Sequence, residues 1–233
     1  MTNRMKRGIY IFILSLLAFC TGSYAQIEQP RSILELGFSG GLNLNRMEFQ
    51  PSIRQHLAQG ANGGLNIRYT SEKYFSMICA AQLEVNFSQR GMTEDFDDGT
   101  SNTYNRLINY IEVPFFAHVS WGREERGIQF FLNLGPQLGF FINESESYEG
   151  EWETANRPIT IRPLYGKPLE NKFDYGIAGG LGLEYKTQIG NFFIEGRYYY
   201  GLADIFGNSK TDDFGRSANT TITARIGYSI RIF

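Results

Sequence analysis

Side chains of this chain alternate between apolar and small or polar types over long stretches, and this period of two limits the fold more than any other feature. The alternation runs from Phe173 to Tyr185, pauses over 187–191, and resumes from Phe192 to Leu202. Such a pattern predicts a strand, a tight turn and a second strand. Half-buried strands of soluble sheets also alternate, so the fold depends on whether the rest of the chain repeats the pattern.

Six further segments repeat the alternation, so the sequence predicts eight strands. Their apolar faces lie, in chain order, over 34–44, 65–69, 79–87, 107–119, 128–142, 173–185, 192–202 and 222–232. The predicted strands have about 9 to 15 residues, whereas strands of soluble sheets usually have ~5–6 and a tilted membrane-spanning strand needs ~9–11. The fold class predicted is therefore all-β, an eight-stranded antiparallel up-and-down transmembrane β-barrel.

The connections between these strands alternate strictly between long and short. The long ones run from Leu44 to about Ala61 and over 91–104, 143–172 and 203–218, and the short ones lie at 70–74, 122–127 and 187–191. Outer-membrane barrels have short periplasmic turns and long extracellular loops. A secreted β-sandwich, the alternative, has no reason to segregate them. We therefore expect periplasmic termini and four extracellular loops.

The N-terminus has the pattern of a secretory signal peptide. Arg4, Lys6 and Arg7 precede an apolar run over 9–19, and small residues lead to a cleavage site at Ala25. Cys20 would suit a lipoprotein, but Phe19 stands where lipidation requires a small residue. The predicted organisation is a signal peptide over 1–25 and a barrel domain over 26–233. The mature chain would be mildly acidic, which does not favour nucleic-acid binding.

Charged residues on the inward faces of the strands form the main candidate site. With this phasing they are Glu35, Arg68, Glu84, Arg90, Glu112, Glu184, Glu195, Arg197, Arg225 and Arg231. Unpaired buried charges are costly, and side chains just fill the lumen of an eight-stranded barrel. We expect a structural network of ion pairs that closes the lumen. A conducting channel is the alternative.

Other residues of chemical interest have simpler explanations. Gly176, Gly179, Gly180 and Gly182 lack the lysine of a phosphate loop and more plausibly relieve crowding in a small barrel. Asp95, Asp97 and Asp98 lack the spacing of a calcium loop. Pro114 and Pro136 interrupt strands and predict bulges or local bends. No catalytic, cofactor-binding or metal-binding residue is predicted.

His118 and Ser120 share an inward face with Glu112, and such a trio could activate a nucleophile. The pair is loosely similar to the His-x-Ser of outer-membrane lipid A deacylases. Trp121 stands where that family has Asn, and the pair would lie near the periplasmic end, away from the outer leaflet. An interior hydrogen-bonded pair is the preferred interpretation, and the protein is predicted not to be an enzyme.

Several motifs resemble the PorT-like outer-membrane β-barrel family of Bacteroidetes. They are YIEVP at 110–114, LGP at 134–136, DYGIAGGLG at 174–182 and EGRYYYGLADI at 195–205, and the resemblance covers essentially the whole mature chain. The run over 201–219 is the most specific part. The resemblance implies a non-enzymatic accessory or assembly component of type IX protein secretion. A small-solute porin or a structural outer-membrane protein is the alternative.

The expected partners are the outer-membrane bilayer and other outer-membrane or periplasmic secretion proteins, without nucleic acid, metal or cofactor. The loop within 201–219 is the candidate contact with protein partners. Its polar residues are Asp204, Asn208, Lys210, Asp212, Asp213 and Arg216.

Overall fold

A computed structural model describes residues 30–96, 102–150, 153–208 and 212–232, which form one antiparallel sheet that closes on itself. The strands are β1 (Pro30–Gln50), β2 (Gln55–His56), β3 (Ala58–Tyr74), β4 (Met77–Asp95), β5 (Thr103–Gly122), β6 (Gly127–Glu149), β7 (Phe173–Lys186), β8 (Asn191–Asp204) and β9 (Arg216–Arg231). The two-residue β2 pairs only with the end of β4. The other eight follow chain order around a ring, which closes where β1 pairs with β9. The predicted eight-stranded barrel is confirmed.

The two faces of the sheet are sorted as the alternation predicts. Outward residues such as Leu42, Leu65 and Ile226 are 64–67% exposed, whereas the inward Glu84 and Glu195 are each 1% exposed. Exposed apolar side chains on this scale are expected only where a protein meets lipid or a partner. Aromatic residues, among them the stacked Trp121 and Phe130, lie near the short turns. Such aromatic girdles mark the membrane boundary of transmembrane barrels.

The strands are longer than predicted. The eight strands of the ring have between 14 residues, in β7 and β8, and 23 residues, in β6. Most of the extra length lies on the side of the long connections, where β1 continues to Gln50, β3 begins at Ala58 and β6 continues to Glu149. Beyond the bilayer both faces of a strand can be polar while the ladder continues, so apolar alternation underestimates strand length.

One short turn lies further along the chain than the sequence predicts. The segment 70–74 was predicted as a turn, but β3 continues through it to Tyr74, with an irregularity between Thr70 and Glu72. The chain reverses at Phe75, which has a positive φ of 55°. Glu72 is exposed and Lys73 is half-buried against Glu124 at this end of the barrel, and the polarity of the two residues conceals the strand.

Neither proline inserts a bulge, which corrects that part of the prediction, whereas the alternative of a local bend stays a prediction. The pairings on both sides of Pro114 and through Pro136 keep one register. A missing N–H removes one ladder bond but does not require an extra residue. The register of β5 and β6 shifts elsewhere, between the pairs Asn109–Asn143 and Tyr110–Phe141, so that Ile142 is the extra residue of a β-bulge.

The connection from β6 to β7 folds back over the barrel. We call residues 153–172 the lid. It contains two short 3-10 helices, Thr154–Asn156 and Arg162–Leu164. Among the described residues, no helix is long and apolar enough to cross a membrane. The predicted signal peptide with Ala25, and the acidic pair Asp97 and Asp98, lie outside the described residues.

Candidate functional site

The lumen is crossed at its centre by four charged residues from three strands, which we call the central layer. Glu84 of β4 accepts paired hydrogen bonds from Arg197 of β8 (2.9 and 3.0 Å) and from Arg225 of β9 (2.7 and 2.9 Å). Glu195 contacts Arg225 at 2.5 Å and Arg197 at 3.1 Å. Two carboxylates and two guanidinium groups balance in charge, so no buried charge is left alone.

Glycines make room for these groups. A Cβ on Gly180 would lie 2.3 Å from Glu195 Oε1, and one on Gly182 would lie 2.4 Å from the ring of Phe131. Both residues face the lumen from β7, and both contacts are too short for any real side chain. The prediction that this glycine cluster relieves crowding is confirmed at these two positions.

A periplasmic layer lies below the central one. Arg68 contacts Glu184 at 2.6 Å and Glu35 at 3.3 Å, and Asn191 donates to Glu35 at 2.7 Å. Lys186 lies 3.7–3.8 Å from the same two carboxylates. The predicted interior residue Arg231 is instead exposed and lines a cavity of about 380 Å³ at the periplasmic mouth. It lies at the last position of β9, where the lumen opens to solvent.

An outer layer lies above the central one. Arg90 hydrogen-bonds Glu112 through Nε at 2.7 Å and bonds Asp174 through Nη1. Its guanidinium also lies 4.0 Å from the ring centre of Tyr199. Asp174 was not among the predicted interior charges, although it occupies an inward position of β7. The alternation along β7 is sufficient to predict Asp174 as an inward residue.

Within the described residues, His118 is not hydrogen-bonded to Ser120 or to Glu112. His118 is buried, and its Nδ1 hydrogen-bonds Asn133 Oδ1 at 2.8 Å rather than Ser120 as predicted. Glu112, the carboxylate on the same face, is engaged by Arg90. The neighbouring strand β6 supplies the nearer partner, because antiparallel pairing sets Asn133 directly opposite His118.

An apolar cluster, which we call the cap, fills the extracellular end of the barrel. The sequence pattern did not predict it. Its buried members come from strand ends and connections: Met47, Phe49, Ile53, Met92, Phe96, Tyr104, Ile108, Tyr110, Leu164, Leu169, Ile205, Phe206 and Phe214. Polar residues surround these positions in sequence. Loop segments were therefore interpreted as solvated, although each contributes a few apolar side chains to one common core.

Arg106 anchors the lid to the barrel wall. It is fully buried on β5, contacts Glu144 at 2.5 Å, and donates to the carbonyl oxygens of Leu164 and Lys167. Glu144 in turn accepts from the backbone N–H of Leu169 at 3.1 Å. Glu144 reaches this position because the bulge at Ile142 reverses the faces of β6, so that even-numbered residues beyond it face inward.

Two further groups hold the lid. Glu94 bonds Arg157 and accepts from the hydroxyl of Tyr165 at 2.8 Å. Burial raises the pKa of Tyr165; the hydrogen bond from Arg157 opposes this shift and that to Glu94 reinforces it, so the hydroxyl stays protonated. Lys167 contacts Asp213 at 2.9 Å. Burial lowers the Lys167 pKa, but its carboxylate partners more than offset this and raise it.

Residues of the predicted partner-contact loop divide into two groups. Asp204 accepts from Ser217 N at 2.7 Å, and Arg216 donates to Tyr200 and Gly201, so both hold the loop in shape. Asn208, Asp212 and Asp213 are exposed. Lys210 lies outside the described residues. In the described ranges, no group of three or more His, Cys, Asp or Glu could hold a metal ion.

A lipid-exposed apolar belt around a closed ring of antiparallel strands defines an integral β-barrel of the bacterial outer membrane. The model of the outer membrane protein beta-barrel domain family matches residues 24–207, and the chain belongs to this family. No curated protein matches the chain in sequence.

Solved structures that match the chain include three bacterial proteins. Ail of Yersinia pestis, the attachment invasion locus protein, is 16% identical, with 84% of this chain and 99% of that one covered and a TM-score of 0.36. OprG of Pseudomonas aeruginosa is 14% identical (88% and 99% covered, TM-score 0.41). Neisserial surface protein A is 11% identical (83% and 95% covered, TM-score 0.41).

Proposed function

We propose that this barrel is a non-conducting, non-enzymatic component of the outer membrane that acts through its surfaces on other proteins. The observation that carries this proposal is the filled interior, with three layers of ion pairs below an apolar cap. Such a lumen leaves the surfaces outside the membrane as the parts that can act, and we assign the contact with partners to the loop within 201–219. The engagement of His118 with Asn133 and of Glu112 with Arg90 supports the absence of catalysis.

We further propose that the surface serves type IX protein secretion, as an accessory or assembly component. The support is the resemblance of residues 201–219 to PorT of that system. A closed barrel fits an accessory role, because it does not need to admit the exported protein.

Deletion of the gene tests this role. We expect cargo proteins with a C-terminal secretion signal to accumulate in the periplasm, and a copy of the gene with alanine at Asn208 and Asp212 to restore secretion poorly. The matched control carries alanine at Glu124 and Glu125 of a periplasmic turn and should restore secretion fully. Normal secretion and processing of cargo in the deletion strain would overturn the proposal.

A small-solute porin is the second candidate, favoured by the open cavity of about 380 Å³ at the periplasmic mouth. Single-channel recordings of the purified barrel in planar bilayers separate the two functions. We expect no conductance steps, because the layers above that cavity are closed by direct ion pairs. Regular conductance steps would establish the porin and remove the basis of the accessory role.

A further inference from the structure

In the part of the chain that the structure describes, one edge of the extracellular part of β6 is not covered by a strand. The ladder between β6 and β7 ends at the pair Phe140–Phe173, and the last backbone bond runs from Phe141 N to Lys172 O at 3.0 Å. Beyond that point β6 continues to Glu149, paired on its other side with β5. Within the described residues, no backbone hydrogen bond joins 143–147 to any segment other than β5. We call 143–147 the open edge.

The open edge is presented to solvent rather than hidden under the lid. Asn143, Ser145 and Ser147 are exposed. The lid reaches this part of β6 from the inner side, through backbone N–H groups that bond the carboxylates of Glu144 and Glu146 at 3.1 Å. The opposite margin of the protruding sheet differs, because β2 and Arg54 pair with the end of β4 and cover it.

The pairing of β6 with β5 and β7 determines which backbone groups point to the open edge. Phe141 directs its N–H toward β7, and the extra residue Ile142 shifts the alternation by one. Backbone groups of an antiparallel strand point alternately to its two sides. Asn143, Ser145 and Ser147 therefore face β5, and the N–H and C=O of Glu144 and Glu146 point outward. Such unpaired groups form a template for an added strand.

The charge of residues 143–149 favours one kind of added strand. Between Asn143 and Glu149 there are three glutamates and no lysine or arginine. Among the described residues, Arg106 contacts Glu144 and Glu146 on the inner side, which leaves the segment with a net negative charge, and Glu149 is exposed. A second copy of the chain would bring an equally acidic edge, and like charges on adjacent strands are destabilising. An extended segment rich in lysine or arginine would instead gain both backbone bonds and charge complementarity.

We propose that the open edge of β6 binds an extended, basic segment of another protein at the cell surface by strand addition. The small polar side chains of Ser145 and Ser147 leave the edge accessible, and the net negative charge of 143–149 favours basic partners. The binding site does not depend on the loop at 201–219 or on a role in type IX secretion. It requires only the barrel and the protruding part of β6.

Amide hydrogen exchange on the full-length protein in lipid nanodiscs tests the proposal. The probe is a short peptide in which lysine alternates with threonine and valine, and its matched control has glutamate in place of each lysine. We expect the basic peptide to slow exchange at Glu144 and Glu146. We also expect it to bind about tenfold more tightly than the acidic peptide, a difference of ~1.4 kcal/mol.

A pair of variants at one position separates strand addition from side-chain effects. Glu146→Ala and Glu146→Pro both lose the carboxylate, but only the proline variant loses the outward N–H. We expect Glu146→Pro to bind the basic peptide about tenfold more weakly than Glu146→Ala. Equal binding by the two variants, or no preference for the basic peptide, would overturn the proposal. Protection of the same amides by protein concentration alone would assign the edge to self-association and would also overturn it.

Discussion

At the scale of single residues, the barrel interior depends on each guanidinium group meeting two carboxylates. Arg68, Arg90 and Arg225 each contact two acids, and the layers follow one another along the axis of the lumen. Burying an ion pair gains little, because desolvation offsets the attraction, but removing one partner of a pair is costly. The layers therefore specify how the ring closes more than they add to stability.

Replacing one central carboxylate tests this interpretation. Glu84 accepts from both Arg197 and Arg225, so Glu84→Gln leaves two guanidinium groups to one remaining acid, Glu195. We expect the free energy of unfolding to fall by ~3 kcal/mol in urea titrations of the barrel in lipid vesicles. The matched double variant Glu84→Gln, Arg197→Met should recover part of that loss. An unchanged unfolding midpoint for Glu84→Gln would contradict the role of the central layer.

At the scale of secondary-structure elements, one bulge determines how the lid is held. Ile142 is the extra residue between the spanning part of β6 and its extracellular part. Without it, Glu144 and Glu146 would face outward, since a shift of one residue exchanges the faces of a strand. With it, both carboxylates lie over Arg106 and the backbone of the lid.

Deleting Ile142 should therefore release the lid while the barrel persists. The lost hydrogen bonds between Arg106 and Glu144 join charged groups, which typically contribute ~1.5–3 kcal/mol. We expect amide exchange over 164–169 to accelerate at least about tenfold. The control Ile142→Val keeps the bulge and should leave exchange in the lid unchanged. If the deletion and the control protect the lid equally, the bulge does not position its anchor.

At the scale of the whole molecule, the lumen is closed twice by different chemistry. Ion pairs close its membrane-spanning part, and the apolar cap with its lid closes the extracellular end. Water at the extracellular surface supports the apolar cluster through the hydrophobic effect. Inside the spanning part, the inward faces are polar, and paired charges fill the same narrow space.

The two closures should act independently in conductance measurements. Replacing 154–168 by a short glycine-serine linker removes most of the lid and one apolar member of the cap, Leu164. We expect the shortened barrel to remain non-conducting in planar bilayers, because the ion-pair layers are retained. Of the variants compared, the one that combines this deletion with Glu84→Gln is the most able to admit ions. Conductance after lid removal alone would show that the cap is the main seal.

Alternation along the chain predicts the number of membrane-spanning strands, their antiparallel order and the face on which the residues of the spanning segments lie. These properties depend on a period of two that is local in the chain, and on a boundary between lipid and a narrow lumen that sorts side chains strongly. Nine of the ten predicted interior charges are buried for this reason, and Arg231 differs only because β9 ends there.

Three properties depend on the folded chain: which charges meet, how far the strands continue and how the extracellular end is closed. Glu84 and Arg225 meet because β4 and β9 face each other across a closed ring, a relation that no local pattern contains. The cap collects apolar residues from distant segments, and the bulge at Ile142 depends on the pairing of β6 with β5. Pairing across the ring and between loops depends on closure, which is a property of the whole chain.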